Sequence, residues 1–236
     1  MKNIFTLLAL TISLSINAQI STASTSNSGP NASAMGESTI ASGTVSTAMG
    51  GSTTASGWYS TAMGNNTEAI GESSTAMGSG TTAMDYSTAM GSDTDASGSY
   101  SSAMGYNTEA GGTYSTAMGY YAQASGWYST AMGSFTRADG NYSTAMGDET
   151  TASDYGSLVI GRYNSSGSSV TSNASQFSTA NTAFVIGNGI SSGSKSDAFK
   201  VMFNGDATIG NDLTVSNDLT VSGDVVVSSD ARLKSN

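Results

Sequence analysis

Small apolar residues recur at a fixed interval along most of the chain. The tripeptide Ala-Met-Gly occurs nine times between Met35 and Met146, and successive methionines are 14 residues apart with one interval of 13. Val159-Ile160-Gly161 continues the pattern 14 residues after Met146. A short period held over ten turns predicts a solenoid, in which each repeat buries its apolar face against its neighbours.

Each 14-residue unit consists of two similar halves. Alanine takes the same place in every half from Ala34 to Ala152, and glycine follows two places later in most halves. Glycine costs a helix about 1 kcal/mol at each position, which argues against a coiled coil. The pattern predicts two short strands and two turns per unit, with glycine supplying the positive φ of the sharp corners. Ten such coils, stacked at about 4.8 Å, form a parallel β-roll.

Alternation along the strand assigns its two faces. In Thr47-Ala48-Met49, threonine and methionine share one face and alanine lies on the other. Because alanine occurs in both strands of a coil, we expect it in the lumen and methionine in one outer stripe. The opposite placement remains an alternative. A long outer apolar stripe favours self-association. We therefore predict a homotrimer whose interface contains Met49, Met63, Met77, Met90, Met104, Met118, Met132 and Met146.

Aromatic residues recur at a second regular position, directly before the Ser-Thr-Ala-Met segment. They are Tyr59, Tyr86, Tyr100, Tyr114, Tyr128 and Tyr142. One interpretation is packing, with each ring covering the ring of the next coil. The other is a surface ladder that binds carbohydrate or a matrix protein. The regular spacing favours packing.

The N-terminus is typical of an export signal. Lys2 precedes an apolar run from Ile4 to Ile16, and Ala18 provides a small residue for cleavage. We expect an exported chain that is secreted or held at the cell surface or outer membrane, without a transmembrane anchor of its own. Residues 1–18 form this predicted signal, and the Ser- and Asn-rich residues 19–33 a predicted flexible lead-in.

The remaining chain divides into four predicted segments. The roll takes residues 34–161, and larger β-branched and aromatic residues over 162–210 predict a capping section. Asn-Asp-Leu-Thr-Val-Ser is then repeated, so 211–228 predicts a thin β-spiral or prism fibre that needs partner chains. Residues 229–236 form the last segment.

Composition narrows the possible functions. The chain has a formal net charge of −10, only 10% charged residues, no cysteine and no histidine. Phosphate binding needs clustered Lys and Arg, which argues against a nucleic-acid partner. The missing residue types exclude thiolate metal sites and the commonest general base. We expect no cofactor and no enzymatic activity on other substrates.

The 14-residue repeat resembles the head of YadA-like trimeric autotransporter adhesins. The family's Ser-Val-Ala-Ile-Gly strand corresponds to Ser-Thr-Ala-Met-Gly here, with threonine and methionine at the two changed positions. The resemblance implies a left-handed parallel β-roll in an all-β trimer. It also implies adhesion, with a host matrix protein or a surface glycan as partner.

The C-terminal Ser229-Asp230-Ala231-Arg232-Leu233-Lys234 resembles the start of another family, the intramolecular chaperones of endosialidase-type tail fibres (peptidase S74). That resemblance implies Ser229 as nucleophile, Lys234 as general base and cleavage before Ser229. Only about eight residues match and the chaperone body is missing, so we expect no cleavage in this chain. The leading hypothesis is an exported structural and adhesive fibre. The alternatives are a self-cleaving fibre precursor and a solenoid that binds carbohydrate or ice on a flat face.

Overall fold

The computed structural model describes residues 24–165 and 174–224, which are all-β. The predicted export signal lies outside the described residues, as do Ser229 and Lys234. Short and long strands alternate along the chain as the two sides of a β-roll. The short strands are β1 (Ser26–Asn27), β3 (Ile40–Ala41), β5 (Thr54–Ala55), β7 (Glu68–Ala69), β9 (Thr82–Ala83), β11 (Asp95–Ala96), β13 (Glu109–Ala110), β15 (Gln123–Ala124), β17 (Arg137–Ala138) and β19 (Thr151–Ala152).

The long strands of the roll have five residues each. They are β2 (Ser33–Glu37), β4 (Thr47–Gly51), β6 (Thr61–Asn65), β8 (Thr75–Ser79), β10 (Thr88–Ser92), β12 (Ser102–Tyr106), β14 (Thr116–Tyr120), β16 (Thr130–Ser134), β18 (Thr144–Asp148) and β20 (Leu158–Arg162). Short strands pair in parallel with short strands, and long with long, so the roll has two parallel sheets. The predicted solenoid of 14-residue coils is confirmed. Its first strand, β1, falls within the segment that we expected to be a flexible lead-in.

Equivalent residues of successive coils lie directly beside one another. Met49 pairs with Met63, and Met77 pairs with Met90 although only 13 residues separate them. The missing residue is absorbed at the corner between β9 and β10. There the Oδ1 atom of Asp85 accepts a hydrogen bond from the Glu72 amide at 3.0 Å. The irregular spacing therefore leaves the strand register intact.

The lumen is filled by alanine, serine and threonine. Ala48 and Ala55, from the two strands of one coil, are both fully buried. Thr53 and Ser60 at the corners are buried as well, and the Ser60 hydroxyl donates to the Gly57 carbonyl at 2.7 Å. Methionine lies on the outer face, where it is only half-buried. The expected placement of alanine inside and methionine outside is confirmed, and the opposite alternative is excluded.

Glycine supplies the positive φ at only two of the roll's described corners, so that prediction is wrong for the others. The left-handed corner positions of the second coil are held by Ser52 (φ 52°) and Tyr59 (φ 59°). Gly50, with φ +126°, lies inside β4, where an added Cβ would be 1.9 Å from the Gly64 carbonyl oxygen. Gly57 does not have a left-handed φ, but a Cβ added to it would also clash with the backbone of the next coil. Both glycines are required because adjacent coils approach closely.

Three further strands extend the long-strand sheet. β21 (Thr182–Asn188) continues it in parallel beside β20, and β22 (Asp197–Met202) and β23 (Ala207–Ile209) follow in antiparallel order. Residues 211–224 contain no strand and are exposed in the single chain. The predicted fibre of 211–228 requires partner chains, and its residues 225–228 lie outside the described part. It stays a prediction.

Candidate functional site

The methionine face is the outer surface of the long-strand sheet. All eight predicted interface methionines lie on this face, where in-register pairing aligns them in a single row. A threonine or serine two positions before each methionine, such as Thr116 before Met118, flanks the row and is also half-buried. The face is therefore weakly polar, and its central rows of methionine and of threonine or serine carry no charge.

The tyrosine column occupies the corner where each short strand passes to the next long strand. It consists of Tyr86, Tyr100, Tyr114, Tyr128 and Tyr142. Neighbouring ring centroids are 4.8–4.9 Å apart and the rings are within 7–8° of parallel. Each ring covers the next, which confirms the packing interpretation. Tyr59 stands apart from the column because Ser73 takes the position between it and Tyr86.

The opposite corner, where each long strand passes to the next short strand, carries a second set of left-handed residues. They are Ser38, Ser52, Asn66, Gly80, Asp93, Asn107, Tyr121, Phe135, Glu149 and Tyr163. Tyr121 and Phe135 stack with their centroids 5.1 Å apart and an interplanar angle of 11°. Tyr120, the last residue of β14, packs its ring against Phe135 at 81°. Aromatic side chains are therefore concentrated at one place along this corner.

A groove of about 330 Å³, here called the corner groove, lies beside these rings. Two parallel rows of side chains line it, one from the corner and one from the short strands. The corner row is Asp93, Asn107, Tyr121 and Phe135, and the strand row is Asp95, Glu109, Gln123 and Arg137. The groove thus combines aromatic rings with planar carboxylate, amide and guanidinium groups.

Hydrogen bonds and charges order the strand row. The Gln123 amide donates to the Glu109 carboxylate at 2.7 Å, and Arg137 forms a 3.2 Å ion pair with Asp139. Partial burial raises the pKa of the Asp95 carboxyl, and the neighbouring Glu109 raises that pKa further. Carboxylates therefore dominate the charge of the groove, since Arg137 is already paired.

The corner groove was not predicted from the sequence. Its corner position holds serine, asparagine, glycine, an acidic residue or an aromatic residue in different coils, so no recurring residue type marks it. The signal that could have found it is the 14-residue spacing of Tyr121 and Phe135, which is one coil. That spacing places their rings side by side.

Other kinds of site are not found in the described part of the chain. Residues 24–165 and 174–224 contain no group of three or more acidic, histidine or cysteine side chains that could hold a metal ion. Over the same ranges, no helix is long and apolar enough to cross a membrane.

A family model for the YadA head domain repeat matches the roll in six segments. They are residues 28–53, 41–67, 69–83, 84–108, 110–136 and 138–164, which together cover more than half of the chain. No curated protein is a significant match. The segments lie within the part of the chain that forms the β-roll. The chain belongs to the family of proteins that carry YadA head domain repeats.

Proposed function

We propose that the chain is an exported structural and adhesive fibre whose β-roll forms a trimeric head. The observation that carries this proposal is the methionine face. Its eight methionines form one row on the long-strand sheet, and the single chain leaves them partly exposed, up to 36% at Met146. Burying such a stripe against other copies removes apolar area from water, worth about 25 cal/mol per Å². Three copies around one axis bury all rows at once.

The residues after the roll support the same association. Leu213, Val215, Leu219 and Val221 of the six-residue repeat are 62%, 42%, 66% and 46% exposed in the single chain. A lone extended segment has no partner for this apolar face. Three copies wound together would cover these side chains and continue the symmetry of the head. The fibre and the head then share one threefold axis.

An adhesive role is supported by the family to which the chain belongs. YadA head repeats indicate an adhesin-like structural fibre. The predicted export signal supports a location at the cell surface or outside the cell. Its partner is a host matrix protein or a surface glycan, and the head carries no chemistry of its own.

The solution mass of residues 19–236 tests this proposal. We expect light scattering to give three chain masses for the unchanged chain. Introducing two charges on the methionine face, Met104→Lys with Met118→Lys, should give single chains, because buried unpaired charges oppose association. The control variant carries Thr54→Lys and Thr82→Lys on the short-strand sheet, where Arg137 already occupies the equivalent position. We expect this variant to stay trimeric. A monomeric unchanged chain would refute the trimeric head.

A further inference from the structure

The corner groove has the chemistry of a saccharide site. The faces of a pyranose ring carry C–H groups that pack on aromatic rings, and its edge carries hydroxyls that pair with carboxylates and amides. The groove provides both, since Tyr121 and Phe135 lie on one side and Asp95, Glu109 and Gln123 on the other. We propose that the corner groove binds a neutral oligosaccharide, an inference that rests on the adhesive role proposed above.

Tyr121 offers the ring face for such packing. Phe135 covers one of its faces at 5.1 Å, but the equivalent position one coil earlier is Asn107, which cannot provide a parallel ring. Tyr106 and Tyr120 contact Tyr121 only at an angle, with planes tilted by 60° and 70° and centroids 5.7 Å and 4.7 Å away. The parallel stack of rings therefore ends at Tyr121, which is 37% exposed, and a sugar ring placed beside Asn107 would pack on the exposed part of the Tyr121 ring.

The size and direction of the groove fit a short sugar chain. Its volume of about 330 Å³ is at the lower end of ligand clefts, which span about 300–1,000 Å³. It runs along the roll, where polar side chains recur once per coil at about 4.8 Å. An extended chain of pyranose units advances by a similar length per unit. Successive sugars can thus meet Glu109 and Gln123 in turn.

The charge of the groove selects among saccharides. Asp93, Asp95 and Glu109 are all acidic, and Arg137 is paired with Asp139. A sialylated or uronic-acid sugar would bring another carboxylate into this surface and be repelled. A cation is not the expected ligand, because no three acidic groups of the described residues converge as a metal site. Neutral hydroxyls can pair with the carboxylates without adding charge.

The groove remains open in the proposed trimer. It lies at the corner and on the outer face of the short-strand sheet, whereas the methionine face is the outer surface of the long-strand sheet. The groove is already formed in the single chain. Saccharide binding can therefore be measured independently of the number of copies.

Isothermal titration of residues 19–236 with four neutral probes tests the site. Lacto-N-tetraose represents host surface glycans. The other neutral probes represent microbial and plant polysaccharides; they are mannotetraose, cellotetraose and maltotetraose. Two acidic probes serve for comparison, namely sialyllactose and tetragalacturonate. We expect at least one neutral probe to bind and the acidic probes not to. Tyr121→Asn should weaken that binding about tenfold by removing the ring face. Asp95→Thr with Glu109→Thr should weaken it as well.

The chain itself supplies variants that keep the fold. Asn66 and Asn107 already lie at the left-handed corner position that is equivalent to residue 121 in other coils. Thr82 likewise lies at the strand position that is equivalent to residue 95. The control is Tyr114→Ser in the tyrosine column, where Ser73 takes the equivalent left-handed position. It should bind the probe as the unchanged chain does.

Three results would overturn the proposal. The first is that no neutral probe binds at about 10 mM, a concentration well above a weak millimolar dissociation constant. The others are that Tyr121→Asn binds a neutral probe as tightly as the unchanged chain does, or that an acidic probe binds more tightly than the neutral ones. Light scattering on the same samples distinguishes failure of the saccharide site from failure of the proposed trimeric assembly. A trimer that binds no probe refutes the saccharide site alone, and a monomer that binds one refutes the trimeric assembly alone.

Discussion

The Asp154 carboxylate accepts a hydrogen bond from the Thr182 backbone amide at 2.8 Å, across 28 residues of chain. Both residues are buried at the end of the roll. Asp154 occupies the corner position that holds Gly140 one coil earlier, and Thr182 begins β21. The contact therefore fixes β21 beside the last regular coil, so that Val185 pairs with Val159 in register.

Removing this contact should loosen the end of the roll. We expect Asp154→Ala to destabilise the chain by about 1–3 kcal/mol, because the Thr182 amide loses a buried acceptor. Hydrogen exchange should show faster exchange in β21 and unchanged exchange in β8. Asp154→Asn keeps an acceptor oxygen and should lose less. Equal exchange in β21 after Asp154→Ala would show that the carboxylate does not hold this strand.

The close approach of coils predicts very different effects for two glycines of one region. Gly105 has φ +130° and a Cβ there would be 2.0 Å from the Gly119 carbonyl oxygen, whereas a Cβ on Gly111 meets only side-chain oxygens at 3.5 Å or more. We expect Gly105→Ala to destabilise the roll by more than about 1 kcal/mol and Gly111→Ala to change stability by less than that. Thermal unfolding followed by circular dichroism measures both. Similar effects of the two substitutions would contradict the account of coil spacing.

Stacking in the tyrosine column should contribute to stability. Tyr114 stacks on Tyr100 and Tyr128, each at 4.8 Å. We expect Tyr114→Ser to lower the free energy of unfolding by about 1–3 kcal/mol, from two aromatic contacts of about 0.5–1.5 kcal/mol each. Tyr59→Ser is the matched control, because Val45 and Ser73 flank it in place of rings. Chemical denaturation should show the smaller loss for Tyr59→Ser, and an equal loss would mean that stacking adds nothing.

The Asp95 carboxyl makes stability depend on pH. Its pKa lies above the ordinary 3.8, first because of partial burial and then because of repulsion by Glu109. The folded chain thus binds this proton more tightly than the unfolded chain, so the ionised group destabilises the fold. The penalty is full above the folded-state pKa, shrinks as the pH falls through it, and is gone below 3.8.

We therefore expect Asp95→Asn to raise the melting temperature at pH 7 and to leave it unchanged below the unfolded-state pKa. Asp212→Asn, in the exposed segment after the roll, should have no effect at either pH. A gain from Asp95→Asn that is equal at both pH values would contradict the assigned cause.

The features that repeat in every coil could be predicted from the sequence. The period of Ala48 and Met49 gave the coil length, the parallel pairing and the two faces of the long strand, because alternation along a strand is fixed by geometry. The role of glycine could not be deduced in the same way. A positive φ inside a strand and a close approach between backbones both select glycine, and only the structure separates these causes from a turn.

Features that occur only once could not be predicted from the repeat pattern of the sequence. The corner groove depends on Tyr121 and Phe135 following Asn107 at a position whose residue type varies from coil to coil. The contact between Asp154 and Thr182 spans a segment that breaks the period. Neither depends on a recurring residue, so both needed the three-dimensional arrangement.

The most direct test of the central claim, that the methionine face lies at a threefold axis, is covalent trapping. The chain has no cysteine, so Met104→Cys introduces a unique thiol on that face, and Thr82→Cys one on the opposite sheet. With a short trifunctional maleimide, Met104→Cys should yield a band of three linked chains and Thr82→Cys only single chains. Single chains from Met104→Cys, or linked chains only from Thr82→Cys, would contradict the proposed head.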